Sequence, residues 1–220
     1  MELLEGIETR RSLRAFTSTP VPEEIMGKIL KAVSKSPSYT NTQPWEVAVV
    51  SGNKKEELAS ILSDLWKSEV APNPDLPLPK TWPPELDSRV KEHSASRFKA
   101  LGVERGDDQY RMELRLQNFK FFGAPCGLFL FMDSTLTPWS IFDMGIFAQS
   151  IQLAAHSFGI GSCLQAMLVN YPDAVREFLG IPKTKQLIIG ISMGYPDYEA
   201  RINAYQSTRM SVDDFVQWYS

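Results

Sequence analysis

Arginine side chains that could bind an anion lie near both ends of the chain. Arginine presents a planar fork of N–H donors that matches the oxygens of a phosphate, and a serine hydroxyl can add a further donor. The alternative is an ordinary solvated basic surface, which composition alone favours because most arginines are exposed. The candidates for one phosphate site are Arg10, Arg11, Ser12 and Arg14 in the segment TRRSLRAF, and Arg209 in the segment QSTRMS.

A second candidate is the polar decapeptide SPSYTNTQPW, residues 36–45, which joins an amphipathic stretch to an apolar one. Such a join is normally buried, so its polar side chains need hydrogen-bond partners. Ser38, Asn41 and Gln43 suit turn and helix C-cap positions, and they suit a ligand site equally well. The spacing is compatible with both interpretations.

The composition excludes several classes of protein. With 43% hydrophobic and 22% charged residues, the chain is typical of globular proteins. A formal net charge of −3 argues against nucleic acid or an anionic membrane as partner. No apolar run approaches the roughly 18 residues of a membrane span, and acidic residues at the start of the chain are unlike a signal peptide. We therefore expect a cytoplasmic protein.

Metal and nucleophile chemistry have weak support in the sequence. His93 and His156 lie far apart and lack neighbours at metal-ligand spacing, so we expect no metal site. Cys163 and His156 could form a nucleophilic pair, but two half-buried residues at a helix end are the simpler interpretation. The glycines of GIGS, residues 159–162, do not form a dinucleotide-binding fingerprint.

Hydrophobic periodicity predicts an α+β protein in which helices surround a sheet, because helices and strands mix without strict alternation. We expect a single domain over residues 1–220 with a proline-rich excursion at about 70–106. The helix over 138–158 is apolar nearly all round, which indicates a central helix or one packed on another subunit. The other helices are predicted over 2–9, 18–36, 54–67, 85–100, 107–121 and 170–180, and the strands over 45–52, 126–133, 159–165 and 186–194.

Two motifs identify a family. TRRSLRAF, followed after residues 17–35 by SPSYTNTQPW and the strand WEVAVV, resembles the nitroreductase family of FMN-dependent oxidoreductases. The resemblance continues through NFKFFGAP, through GIGSCLQAMLVNYPDAVREFLGIP and through IIGISMGYPD, so it covers essentially the whole chain. It implies a nitroreductase-like fold with a central, mostly antiparallel sheet wrapped by helices, in an intertwined homodimer with FMN at the subunit interface.

The resemblance also implies roles for individual residues. Arg10, Arg11 and Ser12 would hold the FMN phosphate and ribityl chain, and Arg209 would complete the phosphate site. Arg14 would reach the polar edge of the flavin, where a cation favours the reduced form. Many relatives carry a second cation where this chain has Ser207.

The remaining implied contacts come from three segments. The decapeptide would come from the partner subunit and line the flavin, and two residues near 118 would bind its pyrimidine edge. A backbone N–H in the segment after the third strand would face flavin N5. These residues are Pro37, Ser38, Tyr39, Asn41 and Gln43 in the first segment, Gln117 and Lys120 in the second, and Leu164, Gln165 and Ala166 in the third.

The implied activity is ping-pong hydride transfer from NADH or NADPH, through flavin N5, to nitroaromatics, quinones or similar flat acceptors. No side chain is assigned as a general acid, although Tyr39 is a candidate. Three alternatives stay open: a reductive dehalogenase of the same family, an FMN-binding redox sensor without turnover, and a relative that has lost the flavin.

Overall fold

A four-stranded sheet forms the centre of the protein. The computed structural model describes residues 1–104 and 106–220. The strand order is β1-β2-β4-β3, and every neighbouring pair is antiparallel. The N-terminal segment joins this sheet through one parallel bridge between Ser12 and Ser162. The strands are β1 (Glu46–Ser51), β2 (Cys126–Asp133), β3 (Gly161–Gln165) and β4 (Lys185–Gly194).

Helices surround the sheet, and the predicted α+β class is confirmed. Two elements are shorter than predicted: the strand predicted over 45–52 ends before Gly52, which begins α3 with φ +53°, and the helix predicted over 18–36 begins only after its N-cap Pro22 and ends at Val33. In the described part of the chain, no helix has the length and apolar character to cross a membrane. The helices are α1 (Leu3–Thr9), α2 (Glu23–Val33), α3 (Gly52–Lys67), α4 (Pro84–Leu101), α5 (Asp108–Phe119), α6 (Pro138–Ser157), α7 (Pro172–Leu179) and α8 (Arg201–Ala204).

The apolar strand β2 lies between two cores. Leu128 and Leu130 face the core built with α2 and α6. Phe129 and Phe131 point the other way, into the core built with α3, α5 and α7. Successive side chains of a strand alternate between faces, so a strand covered on both faces must be apolar throughout.

Helix α6 is buried on one face only. Its Met144, Phe147 and Ile151 pack against the sheet, whereas Trp139 and Phe142 are each 63% exposed. The apolar character around the whole helix therefore does not come from a central position within this chain.

Asp75 is one of several contacts that attach the proline-rich segment to the rest of the fold. The Asn73 N–H also donates to the Asn170 carbonyl at 2.9 Å, and the Tyr171 hydroxyl donates to the Val70 carbonyl at 3.0 Å. The Asp75 carboxylate accepts hydrogen bonds from Arg176 Nη1 at 2.5 Å, Arg176 Nη2 at 3.2 Å and the Leu187 backbone N–H at 2.7 Å. The segment then enters α4 at Pro84, a residue type that suits a first helical turn. The predicted excursion at 70–106 includes Arg105, which lies outside the described residues.

Candidate functional site: an arginine-lined pocket

A pocket of about 440 Å³ lies between the end of β3 and the helices α4 and α5. Its lining includes four residues predicted from the sequence: Arg14, Leu164, Gln165 and Ala166. The structure therefore brings a cation of the first motif together with the segment that follows the third strand.

Hydrogen bonds of Gln165 hold the end of β3 in place. Its amide Nε2 donates to the Asn118 backbone oxygen at 3.0 Å, and its Oε1 accepts the hydroxyl proton of Ser192. The Gln165 side chain is only 2% exposed, so its role is to link β3 to Asn118 and Ser192 inside the protein. The neighbouring Leu164 is 40% exposed and faces the pocket.

The two predicted phosphate-binding ends of the chain lie near enough for the charge of Arg209 to act on Arg10. Burial, and then repulsion from the Arg209 charge, lower the pKa of Arg10. Arg10 Nε is buried without a hydrogen-bond partner. Like charges held together around an unpartnered donor are what a bound anion would neutralise. Arg209 Nη1 also donates to Ser207 Oγ at 2.6 Å, so the serine orients the arginine.

The backbone of the first motif fixes the direction of Arg14. Its N–H donates to Asn203 Oδ1 at 2.7 Å, and the preceding Leu13 N–H donates to the Ser162 carbonyl at 3.0 Å. The Arg14 guanidinium then lies 6.0 Å from the centre of the Phe122 ring. Ser12 pairs with β3 at the same place. Arg11 lies 6.0 Å from the ring centre of Tyr198 and lines a small cleft with Arg10.

Gln117 and Lys120 are not brought to this pocket. Both line a different surface, against α3, and Gln117 Nε2 donates to Glu113 Oε1 at 2.6 Å. The residue of this segment that lines the arginine pocket is Asn118. An α-helix turns by 100° per residue, so neighbours in sequence face different directions. Gln117 and Lys120 therefore do not line this pocket, and Asn118 is the residue of the same segment that does. The flavin contact of Gln117 and Lys120 stays a prediction.

The polar decapeptide forms a strained loop that is fixed by contacts with α6. The Tyr39 N–H donates to both carboxylate oxygens of buried Asp143, at 3.1 and 3.2 Å. The Tyr39 ring stacks on Trp139 with 5.8 Å between ring centres. Positive φ angles are uncommon for residues other than glycine, and they mark strain that the surroundings must support. The residues with positive φ here are Thr40, Asn41 and Gln43.

The side chains of this loop do not line the arginine pocket of their own chain. Tyr39 is 60% exposed, and the Ser38 hydroxyl accepts the Gln43 N–H at 2.9 Å. Pro37, Ser38, Tyr39, Asn41 and Gln43 do not line the arginine pocket. A contribution from this loop to a pocket therefore requires a second subunit.

The possible nucleophilic pair does not form. His156 Nε2 bonds to Thr9 Oγ1 at 2.8 Å, and burial lowers the pKa of His156. Burial raises the pKa of Cys163, whose thiol contacts the Leu164 carbonyl at 3.6 Å. Within residues 1–104 and 106–220, no group of three His, Cys, Asp or Glu side chains is placed to bind a metal ion.

Three arginines of the pocket were not predicted from the sequence. Arg97 comes from α4, and Arg111 and Arg115 come from α5. The Arg97 and Arg111 guanidinium groups lie 5.4 and 4.7 Å from the centre of the Phe98 ring. The spacing of Arg111 and Arg115 could have indicated this cluster from the sequence, because residues four apart lie on the same face of a helix.

Comparison with known proteins identifies the family to which this geometry belongs. The model of the nitroreductase family matches residues 7–195. The chain belongs to the nitroreductase family. This nitroreductase is 34% identical to the nitroreductase NfnB of Mycolicibacterium smegmatis, over 96% of the chain and 90% of that protein. It is 29% identical to a 4-nitrobenzoate reductase of Pseudomonas putida, over 96% of the chain and 93% of that protein.

A solved structure shows the same fold. The crystal structure of the FMN-dependent nitroreductase NfnB from Mycobacterium smegmatis in complex with NADPH superimposes with a TM-score of 0.94. The identity is 33%, and the match covers 99% of this nitroreductase and 97% of the other chain. The family predicted from the two N-terminal motifs is confirmed, and so is the nitroreductase-like fold.

Proposed function

We propose that this nitroreductase is an FMN-dependent oxidoreductase that uses NADH or NADPH to reduce nitroaromatic compounds and similar flat acceptors such as quinones. The observation that carries the proposal is the convergence of Arg14 and the turn at Leu164–Ala166 on one pocket, with Arg10 and Arg209 paired nearby. Relatives described as FMN-dependent and as nitrobenzoate reductases support the same chemistry.

The residues present fit FMN. Arg10 and Arg209 supply an uncompensated positive charge for its phosphate, and the buried Arg10 Nε lacks a partner. Arg14 supplies a cation for the polar edge of the ring. The pocket of about 440 Å³ also falls within the usual range for small-molecule sites, roughly 300–1,000 Å³.

In this mechanism the protein supplies position and electrostatics. FMN held by these residues would supply the hydride chemistry, with N5 as the atom that exchanges hydride with nicotinamide and acceptor. Arg14 stabilises negative charge at the ring edge, because a fixed cation in a partly buried pocket interacts strongly. Gln165 holds the end of β3, and with it the backbone N–H groups assigned to the N5 side. One open pocket serves nucleotide and acceptor in turn, which is a ping-pong cycle.

We further propose a homodimer in which each subunit is a single domain and lends its decapeptide loop to the other subunit's site. Two observations support this arrangement. The loop does not line its own pocket, and large apolar side chains are exposed on α6 beside the loop and on α1, which contacts α6 near His156. Such patches mark interaction surfaces. The exposed apolar residues are Leu3, Leu4 and Ile7 of α1 and Trp139 and Phe142 of α6.

The test is the visible absorption spectrum of the purified protein, recorded anaerobically before and after adding NADH and then NADPH. Flavin bands that bleach with either nucleotide, and that return when a nitroaromatic is added, are the expected result. Bands that neither nucleotide bleaches would favour a redox sensor. A colourless protein that cannot be reconstituted with FMN contradicts the cofactor assignment.

A further inference from the structure

We propose that Arg97, Arg111 and Arg115 form a subsite for a carboxylate carried by an aromatic electron acceptor. The proposal rests on the proposed function, because it concerns the same pocket. It adds a class of substrate: acceptors with a flat ring and an anionic substituent should bind more tightly than neutral ones of the same shape.

The positive charge of the pocket lining favours an anionic ligand. These three arginines line one pocket with Arg14, and the pocket lining contains no aspartate or glutamate. Among the ion pairs of the described residues, none involves any of the four arginines. Cations crowded into a partly buried space repel one another, and a bound anion relieves that repulsion.

The individual N–H donors of these arginines also indicate an anion site. Arg97 Nε and Arg111 Nε are buried and have no hydrogen-bond partner. Burial, and next the Arg14 charge, lower the pKa of Arg97. Buried donors without partners are rare because each one loses its bond to water. Both guanidinium groups are also held against the Phe98 ring, so they are already oriented.

The remaining features of the pocket favour an aromatic carboxylate as the ligand. The phosphate of FMN has its own cations in Arg10 and Arg209, so the three additional arginines are left for another anion. The pocket also presents apolar side chains, among them Leu101, Leu114 and Met167, which suit an aromatic ring. Planar guanidinium groups bind carboxylates through two parallel hydrogen bonds. An aromatic carboxylate combines both features.

The first experiment measures binding without turnover. Benzoate and benzamide are titrated calorimetrically into the FMN-loaded protein and into Arg97→Gln, Arg111→Gln and Arg115→Gln. Arg115 is exposed, so its replacement leaves the fold intact. Arg89→Gln is the matched control, because this exposed arginine lies on the same helix as Arg97 and does not line the pocket.

The expected result is a loss of benzoate affinity of about tenfold or more in the pocket variants, with benzamide binding nearly unchanged. Arg89→Gln should bind benzoate like the parent protein. Equal affinity of the parent for benzoate and benzamide would overturn the subsite, and so would an equal loss in the Arg89 control.

The second experiment uses turnover with 4-nitrobenzoate and 4-nitrobenzamide. The pocket variants should raise KM for the anionic acceptor by about tenfold and raise KM for the neutral acceptor much less. If the variants instead slow flavin reduction by NADPH and spare the acceptor step, the arginines bind the nucleotide phosphates and the proposal is wrong. If neither nucleotide reduces the flavin at all, the proposed function fails, while benzoate binding still decides the subsite.

Discussion

The guanidinium groups of Arg10 and Arg209 lie close enough for their charges to repel, although they come from opposite ends of the chain. A fold maintains such an arrangement only if other contacts offset its cost, and functional sites are where such costs concentrate. Arg97 and Arg14 are a second pair of this kind, in the adjoining pocket. At the scale of residues, the site is therefore defined by positive charge that the protein itself does not neutralise.

Replacing Arg10 separates the cofactor role from a structural one. Arg10→Gln should weaken FMN binding by about 10- to 100-fold, because a charge-assisted hydrogen bond to phosphate is worth roughly 1.5–3 kcal/mol. The melting temperature of the FMN-free protein should stay the same or rise, since repulsion from Arg209 is removed. Fluorescence titration with FMN and thermal denaturation measure the two quantities. Normal FMN affinity with a lower melting temperature would show that Arg10 is only structural.

The two thiols should be unreactive in the folded protein. Burial raises the pKa of Cys126 to about 12 and also raises the pKa of Cys163, so both stay protonated at pH 8. An unfolded thiol ionises near pH 8.5, so the folded state loses stability as the pH rises from about 8.5 towards 12. Titration with a disulfide reagent at pH 8 should detect no thiol in the native protein and both in urea. Rapid reaction of the native protein would contradict this assignment.

Sequence reasoning found the site residues that belong to a local motif. Arg10, Ser12 and Arg14 lie in one short segment whose residue types indicate anion binding by themselves. The position of Asn118 in the pocket lining was not predicted, because the rotation of α5 about its axis depends on tertiary packing. Arg97 was missed for a related reason: an arginine in a charged helix is normally solvated, and only the placement of α4 over the pocket changes its meaning.

At the scale of elements, the sequence predicted helices and strands well and their arrangement less well. The unbroken apolar run of β2 is typical of a strand buried on both faces, and β2 has that burial. The attachment of the proline-rich segment could not be predicted, because Asp75 and Arg176 are 101 residues apart. Burial on its own would lower the pKa of Arg176, but its hydrogen bonds to Asp75 and Asp173 outweigh this and raise the pKa.

The two acidic partners of Arg176 provide a matched comparison. Asp75→Ala should lower the free energy of unfolding by about 2–4 kcal/mol, because it leaves the guanidinium buried with its main partner removed. Asp173→Ala should cost less than about 1 kcal/mol, since this carboxylate is exposed. Urea unfolding measures both. Equal losses would mean that Asp75 does not anchor the segment.

At the scale of the whole molecule, the arginine pocket and the decapeptide loop are separate features of one chain, because the loop residues do not line the pocket. The arginine pocket lies between β3, α4 and α5, with Arg10 and Arg209 near it, whereas the decapeptide loop packs on α6. Asp143 holds the loop through the Tyr39 N–H, so the loop keeps its shape without touching the pocket of its own chain. In the homodimer proposed above, each loop would lie against the other chain's pocket.

Subunit mixing tests this arrangement directly. One variant, Arg10→Gln, disables the phosphate end, and the other, Ser38→Ala with Asn41→Ala, disables the loop. If each site combines the two ends from different chains, a mixed dimer contains one site with both defects and one with neither. Random assembly of equal amounts, by co-expression with two different tags, should then restore tight FMN binding to about a quarter of all sites. FMN content of the doubly tagged dimer, measured by absorbance, gives the answer. If the loop serves its own chain, every site keeps one defect and mixing restores nothing, whereas one tight site in each mixed dimer requires exchange of the loop between subunits.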